Sequence, residues 1–222
     1  MSKNKYIDLN TNSIFKAILS FMCLFVLQYA LIVFANSFIK NKYLVYTIVY
    51  TLLGIFLFLK SKDDLVKAFK NIKKDIKNKL KNIVIVTIVL LIIEFILNFI
   101  LIKIIGHQPP NNQIMVESFK GANILLIIYY MLIIGPIIES LIYYYPYHNV
   151  KNKLASYILY SLVFALMHMT ATSNLLELLY IVPYLCMSFA FGYGFYKTNN
   201  IYVSIITHSI NNVLAFMLLF IM

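Results

Sequence analysis

The chain has 222 residues, of which 62% are hydrophobic and 12% are charged. Soluble domains are nearer about one half apolar and about one quarter charged, so this composition excludes an ordinary soluble domain and favours lipid as the surrounding solvent. The net charge of +11 comes from lysines that lie mostly between apolar runs, which favours a topology signal over nucleic-acid binding.

Apolar runs predict an all-α fold, a polytopic membrane helical bundle with about seven transmembrane helices. The runs cover residues 14–35, 43–60, 83–105, 124–147, 154–169, 175–196 and 201–221. A helix needs about 20 residues to cross the hydrocarbon, so we expect the short fifth run to be tilted or incomplete. In the sixth run, Pro183 with Gly192 and Gly194 predicts a kink or a close helix contact.

Lysine placement predicts the orientation. With the N-terminus in the cytosol, 15 lysines fall on the cytosolic side and 4 on the outer side. This asymmetry fits the positive-inside rule. The sequence therefore predicts a multi-pass protein of the cell membrane with a cytosolic N-terminus.

The runs suggest two regions. Residues 1–82 form an N-terminal transmembrane hairpin and a basic segment, and 83–222 form a bundle whose functional core lies at 124–216. Within 61–82, apolar residues recur at helical spacing between lysines, which is typical of an amphipathic helix on an anionic inner leaflet. A solvated linker explains the same pattern equally well. The segment 106–123 predicts an irregular outer connection.

Polar side chains inside apolar spans are costly and therefore mark candidate sites. Glu139 follows Gly135-Pro136, which is expected to distort its helix, and the last span places His208 and Asn212 four residues apart on one face. The candidates are Glu94, Asn98, Glu139, His168, Glu177, His208 and Asn212. Glu94 and Asn98 are better explained by a structural contact.

Four of these side chains suit the activation of water. At 1.5 Å per residue, Glu139 and His208 lie ~10–12 Å from the cytosolic helix ends, Asn212 ~16 Å and His168 ~21 Å. A poorly solvated carboxylate is a stronger base, and a histidine can share its proton. A second histidine and an amide can donate hydrogen bonds to an oxyanion. Together these groups indicate hydrolysis of a peptide or amide bond without a covalent intermediate.

The same residues resemble the motifs of the CPBP family of intramembrane proteases, which includes type II CAAX prenyl endopeptidases and bacteriocin-processing and immunity proteins. The family pattern is Glu-Glu-x-x-x-Arg, then Phe-x-x-x-His, then His-x-x-x-Asn. The second motif is intact from Phe164 to His168 and the third from His208 to Asn212. The first is degenerate: Glu139 is kept, while Ser140 and Tyr144 replace the second glutamate and the arginine.

The resemblance implies that Glu139 and His168 activate water and that His208 and Asn212 stabilise the oxyanion. Ser140, Tyr144 and Phe164 would support them, with Ser140 and Tyr144 substituting hydrogen bonds for the lost ion pair. The tyrosines at 143–147 are typical of an aromatic belt at the membrane interface.

The predicted function is an intramembrane endopeptidase acting on a membrane-associated protein or peptide, in bacteriocin or peptide processing or self-immunity. Two alternatives stay open: an inactive protein of the same fold that binds a partner, and a small transporter in which buried Glu and His relay protons. Two histidines and a glutamate can hold zinc, but the resemblance implies a metal-free site without cofactors. The expected partners are the substrate and the lipid bilayer.

Overall fold

The structure, a computed structural model, describes residues 11–119, 123–148 and 150–218, and these form helices joined by turns and loops, without strands. Ten α-helices are found in this part of the chain. They are α1 (Thr11–Asn36), α2 (Lys42–Lys60), α3 (Lys62–Ile76), α4 (Leu80–Ile105), α5 (Pro110–Phe119), α6 (Ile124–Ile128), α7 (Gly135–Tyr143), α8 (Lys153–Met167), α9 (Ile181–Thr198) and α10 (Ile201–Leu218). A π-helix joins α6 to α7 (Tyr129–Ile134), and 3₁₀ turns cover Tyr145–Tyr147 and Glu177–Tyr180.

The chain is a multi-pass membrane protein, although the expected count of seven crossings is not confirmed. Four helical stretches in the described chain are long and apolar enough to cross a membrane. They are Ile14–Asn36, Leu80–Ile105, Ile124–Tyr147 and Glu177–Thr198. A fifth is reached if Leu44–Lys60 and Lys62–Ile76, which meet at 85°, count as one broken span.

The other two predicted runs form helices that are shorter than a full crossing. Lys153–Met167 and Ile201–Met217 are apolar but fall in the range of 10–17 residues. In α8 the boundary is set by Asn152, whose side chain accepts a hydrogen bond from the Ala155 amide and caps the first turn. The predicted end of the last run, beyond residue 218, lies outside the described residues.

The bundle is organised around α9, which packs against α4, α8 and α10. Its glycines allow this close approach, as the sequence predicted. A Cβ atom on Gly192 would lie 2.4 Å from Cε2 of Tyr160, and one on Gly194 would lie 2.4 Å from Cγ1 of Val203. The Tyr160 hydroxyl also donates to the Gly192 carbonyl at 2.8 Å. Pro183 is the third residue of α9, a first-turn position that requires no amide donor.

The main hydrophobic core joins both halves of the chain. Phe21 of α1 contacts the ring of Tyr143 in α7 at 5.5 Å between centroids, and Leu57 of α2 belongs to the same buried cluster as Phe164 and Phe191. The N-terminal hairpin thus packs directly on the segment that carries Glu139.

The basic segment forms the amphipathic helix α3, which is fixed to the bundle by polar contacts. The Tyr145 hydroxyl donates to Asp64 at 2.8 Å, and the Asn200 amide donates to the Ala68 carbonyl at 2.7 Å. Phe69 packs edge-on against Tyr202. We call this end of the bundle the α3 end and the opposite one, where α5 lies, the α5 end.

Two sequence expectations about interface segments are wrong. The connection 106–123 contains the helix α5, because Pro110 occupies the first helical position, where its fixed φ is favourable. The tyrosines at 143–147 do not form a lipid-facing belt: Tyr143, Tyr144 and Tyr147 are buried. Their rings fill the space between α7 and α8, where close packing outweighs the preference of tyrosine for an interface.

Candidate active site

Glu139 lies on a helix that is distorted immediately before it. The Gly135 amide donates to the Tyr130 carbonyl, five residues back, which is the π-helical pattern. A Cβ atom at position 135 would lie 2.8 Å from that carbonyl oxygen, so the residue must be glycine for this path. The expected distortion at Gly135-Pro136 is therefore a π-helical turn that re-aims the Glu139 side chain.

Asn212 stabilises this turn from α10. In the π-helical register the Met131 carbonyl would accept a hydrogen bond from residue 136, but Pro136 has no amide hydrogen. The Asn212 side-chain amide donates to the Met131 carbonyl at 2.8 Å instead. This bond ties the third motif to the helix of the first, and it leaves Asn212 a second N–H to donate elsewhere.

The Glu139 carboxylate meets His208. Their Oε2 and Nε2 atoms are 3.7 Å apart, and the His208 side chain is 4% exposed against 22% for Glu139. The other ring nitrogen of His208, Nδ1, has no hydrogen-bond partner among the described residues. Two motifs separated by more than 60 residues in sequence therefore meet within the bundle, with the carboxylate on the more accessible side.

His168 reaches the site through Phe164 rather than through Glu139. Its Nδ1 atom lies 2.8 Å from the Phe164 carbonyl oxygen, so Nδ1 carries the proton and Nε2 is left as the basic nitrogen. The His168 ring stacks on the Phe164 ring at 4.3 Å, and the His208 ring meets the same Phe164 edge-on at 5.8 Å. In the described chain, the histidine within 4 Å of the Glu139 carboxylate is His208 and not His168.

The degenerate positions of the first motif are filled by packing rather than by a replacement ion pair. Tyr144 stacks on Phe164 at 5.9 Å, and its hydroxyl makes long contacts of 3.4 Å with the backbone oxygen and the hydroxyl of Ser188. The Ser140 hydroxyl is fully buried and has no partner in the described residues. Of the two residues expected to substitute hydrogen bonds for the lost ion pair, Tyr144 therefore contacts Ser188, while Ser140 makes no hydrogen bond in the described residues.

The remaining intramembrane candidates lie apart from this cluster. Asn98 donates to Glu94, one turn away on α4. Glu177 begins a 3₁₀ turn at the α5 end, accepts a hydrogen bond from the Ser173 amide at 2.6 Å and lies 3.5 Å from His107. Glu177 therefore secures a loop rather than facing the membrane interior as the sequence suggested.

Three groups at the site were missed by the sequence analysis. Phe191 stacks on His208 at 4.3 Å, Tyr184 lies against His168 at 5.2 Å, and the Met131 carbonyl accepts from Asn212. Apolar and aromatic residues are common throughout the chain, so none of these stood out. The one available signal was Pro136, whose missing amide leaves a carbonyl to be paired.

The cluster combines groups that can accept a proton with groups that can donate hydrogen bonds. No group of three or more His, Cys, Asp or Glu side chains that could hold a metal ion occurs in the part of the chain that the structure describes. The groups that are present can remove a proton from water, through Glu139 or His168, and can donate hydrogen bonds, through His208 or Asn212.

Fold and site together define a multi-pass helical membrane protein with a carboxylate–imidazole site inside its bundle. Residues 121–214 match the family model described as type II CAAX prenyl endopeptidase Rce1-like. The matched segment carries Glu139, His168, His208 and Asn212, and the match agrees with the resemblance of their motifs to the CPBP family. Comparisons with curated proteins and with solved structures find no match.

Proposed function

We propose that the protein is an intramembrane endopeptidase that cleaves a membrane-associated protein or peptide by activating water. The observation that carries this proposal is the 3.7 Å contact between the Glu139 carboxylate and the His208 imidazole, which joins two motifs of a protease-type domain. The site lies among apolar helices, where the substrate arrives from the α3 end or from the surrounding lipid.

The proposed chemistry assigns a role to each of the four side chains. Glu139, supported by the basic Nε2 of His168, takes a proton from water as the water oxygen attacks the peptide carbonyl carbon. His208 and Asn212 donate hydrogen bonds to the resulting oxyanion. The proton then passes to the amide nitrogen, the C–N bond breaks, and one water has been consumed to give a carboxylic acid and an amine.

The test uses Glu139→Gln and His168→Ala variants that still insert into membranes. We expect each to lower the rate of substrate cleavage by about 100-fold or more, because a general base is removed. The measurement is the yield of new N-termini, by mass spectrometry, in membranes of a host that produces each variant. Glu117→Gln, the same change at an exposed residue of α5, is the matched control and should keep full activity. Unchanged cleavage in both site variants would end the proposal.

An inactive protein of this fold, acting as an immunity or regulatory partner, is the second candidate. It is supported by the Ser140 hydroxyl, which has no hydrogen-bond partner in the described part of the chain, and by Tyr144, which packs on Phe164 in place of the family's arginine. In that case Glu139→Gln would leave the biological phenotype intact, while bulky substitutions on exposed helix faces would abolish it. Bacteriocin or peptide processing and self-immunity are the roles expected for the active protein, and an immunity or regulatory role is expected for the inactive one.

The metal-free site and the lipid contact of α3 are part of this proposal. Purified protein is expected to retain activity without stoichiometric zinc, and elemental analysis checks this. The lysines of α3 are largely exposed while Leu65 is buried against the bundle. That arrangement suits an anionic leaflet at the α3 end.

A further inference from the structure

A long cleft runs beside the site between α4 and α10. It has a volume of about 940 Å³ and extends from Ile76 and Leu80 at the α3 end to Ile102 and Pro109 at the α5 end. Along α4, the 22 residues between Leu80 and Ile102 correspond to ~33 Å, which is about the thickness of the hydrocarbon layer. The cleft therefore crosses the membrane from one side to the other.

Most of the cleft wall is apolar, but its middle carries an acid. Glu94 and Asn98 of α4 both line it. One Glu94 oxygen accepts from Asn98, while Asn98 Oδ1 and the Thr87 hydroxyl, also on the wall, have no hydrogen-bond partner among the described residues. Thr87 is 8% exposed. A carboxyl group at this depth is costly unless another chain pairs with it.

The cleft and the candidate active site share α10. Thr207 and Asn211 line the cleft, and the residues that follow each of them, His208 and Asn212, carry the site. Met131 also lines the cleft, and its carbonyl accepts from Asn212. A chain lying in the cleft would therefore contact one face of α10, and the candidate active site lies on the neighbouring face of the same helix.

We infer that this cleft receives one transmembrane helix of the substrate, with a hydrogen-bonding side chain at mid-membrane opposite Glu94. The inference rests on the proposed function, because it names the substrate class of the same site. Its length matches one helical crossing of about 20 residues. Polar side chains of neighbouring helices pair in this way inside membranes, which stabilises helix association.

An acyl chain is a poorer occupant than a helix. Acyl chains carry no donor or acceptor at mid-membrane, so a lipid would leave the Glu94 carboxyl group facing hydrocarbon. A helix buries its own backbone groups and can still present one polar side chain at that level.

The experiment uses the full chain with Glu139→Gln, Cys23→Ser and Cys186→Ser in vesicles, so that binding is measured without cleavage. The probe is a Leu/Ala transmembrane peptide of about 20 residues with one central Asn and a nitroxide beside it. A fluorophore is attached through Phe95→Cys, which lines the cleft, or through Ile93→Cys, which does not. Both positions flank Glu94 and are exposed, at 53% and 40%.

We expect saturable quenching of the label at position 95 and little at position 93. The Asn peptide should bind about threefold or more tightly than a peptide with Leu at its centre, given the usual strength of such interhelical bonds. Glu94→Leu should remove that difference. Equal quenching at the two positions, or equal affinity of the two peptides, would overturn the inference.

A lipid-filled cleft is tested in the same vesicles with brominated acyl chains. We expect the peptide to relieve bromine quenching at position 95 but not at position 93. Persistent bromine quenching at position 95 with saturating peptide would assign the cleft to lipid and overturn the inference. These readouts measure binding and not catalysis. Binding can therefore fail while Glu139→Gln still abolishes cleavage, and binding can be observed even if Glu139→Gln leaves cleavage unchanged.

Discussion

At the scale of single residues, Phe164 is the common support of both histidines. Its ring is fully buried, stacks on His168 and meets His208 edge-on. The family motif therefore has a physical reason to contain an aromatic residue four positions before the histidine. Stacking fixes the ring plane, and the Phe164 carbonyl fixes the proton on His168 Nδ1.

A Phe164→Leu substitution should consequently impair catalysis more than folding. Loss of the ring lets both imidazoles move, and a displacement of about 1 Å can lower the rate by about 100-fold. We expect kcat to fall at least about 10-fold on that basis, with helicity retained in circular dichroism. Phe195→Leu, the same change at a buried phenylalanine with no described contact to a histidine, serves as the control. Equal loss of kcat in the two variants would contradict this account.

Asn212 has a structural role that can be separated from its catalytic one. Asn212→Ala leaves the Met131 carbonyl without its donor, which should lower the free energy of unfolding by about 1–3 kcal/mol. Adding Pro136→Ala restores a backbone amide at the position that lacks one. We expect thermal unfolding to return towards the wild type in the double variant while cleavage stays low. Recovery of cleavage together with stability would show that Asn212 acts only by positioning.

At the scale of helices, the packing of α9 depends on residues without side chains. The Tyr160 ring occupies the space that a Cβ atom at position 192 would need, and its hydroxyl is bonded to the Gly192 carbonyl. The Tyr160 ring is buried and its hydroxyl is fixed by that hydrogen bond, so the ring cannot move away from an added Cβ atom. Gly192 therefore sets the distance between α8 and α9, and with it the position of Phe164.

Gly192→Ala should destabilise the bundle by about 1–3 kcal/mol, the usual cost of forcing extra volume into a packed interior. Gly54→Ala offers the comparison, because its Cβ would lie 2.8 Å from Cδ1 of Ile138, the end of a flexible side chain. The loss of stability in Gly54→Ala should be smaller than in Gly192→Ala. Melting temperatures in detergent, followed by circular dichroism, distinguish the two, and equal losses would argue against a rigid contact at Tyr160.

At the scale of the whole molecule, the number of crossings depends on α8 and α10. Both are apolar yet shorter than a full span. The start of α10 nevertheless lies at the α3 end of the bundle, because Asn200, just before it, bonds to α3. The chain that follows α8 lies at the α5 end, where Glu177 is beside His107. A locally thin bilayer can accommodate short helices of this kind.

Cysteine accessibility tests this arrangement in a background with Cys23→Ser and Cys186→Ser. We expect Lys70→Cys and Lys151→Cys to react with an impermeant maleimide from one side of the membrane, and Leu175→Cys from the other. All three positions are exposed. By the positive-inside rule, the side of positions 70 and 151 should be the cytosol. Reaction of positions 151 and 175 from the same side would make α8 a re-entrant helix.

The sequence by itself determined the class of protein and the polar residues worth following. The excess of apolar residues requires lipid, and each intramembrane Glu, His or Asn stands out because its burial is costly. Gly135-Pro136 likewise predicted a distorted helix, since proline's missing amide is a local property of the chain. These signals depend only on composition and short-range spacing, so they are readable without coordinates.

Only the tertiary structure decided which of these residues meet. It paired Glu139 with His208 rather than His168 and left Glu94 facing a cleft. It also placed Tyr143, Tyr144 and Tyr147 in the core. Helices of similar apolar composition can pack in many rotations, and sequence spacing does not choose between them. Contacts between distant segments select the rotation of each helix. Examples are the contact of the Tyr160 ring with Gly192 and the hydrogen bond from Asn212 to the Met131 carbonyl.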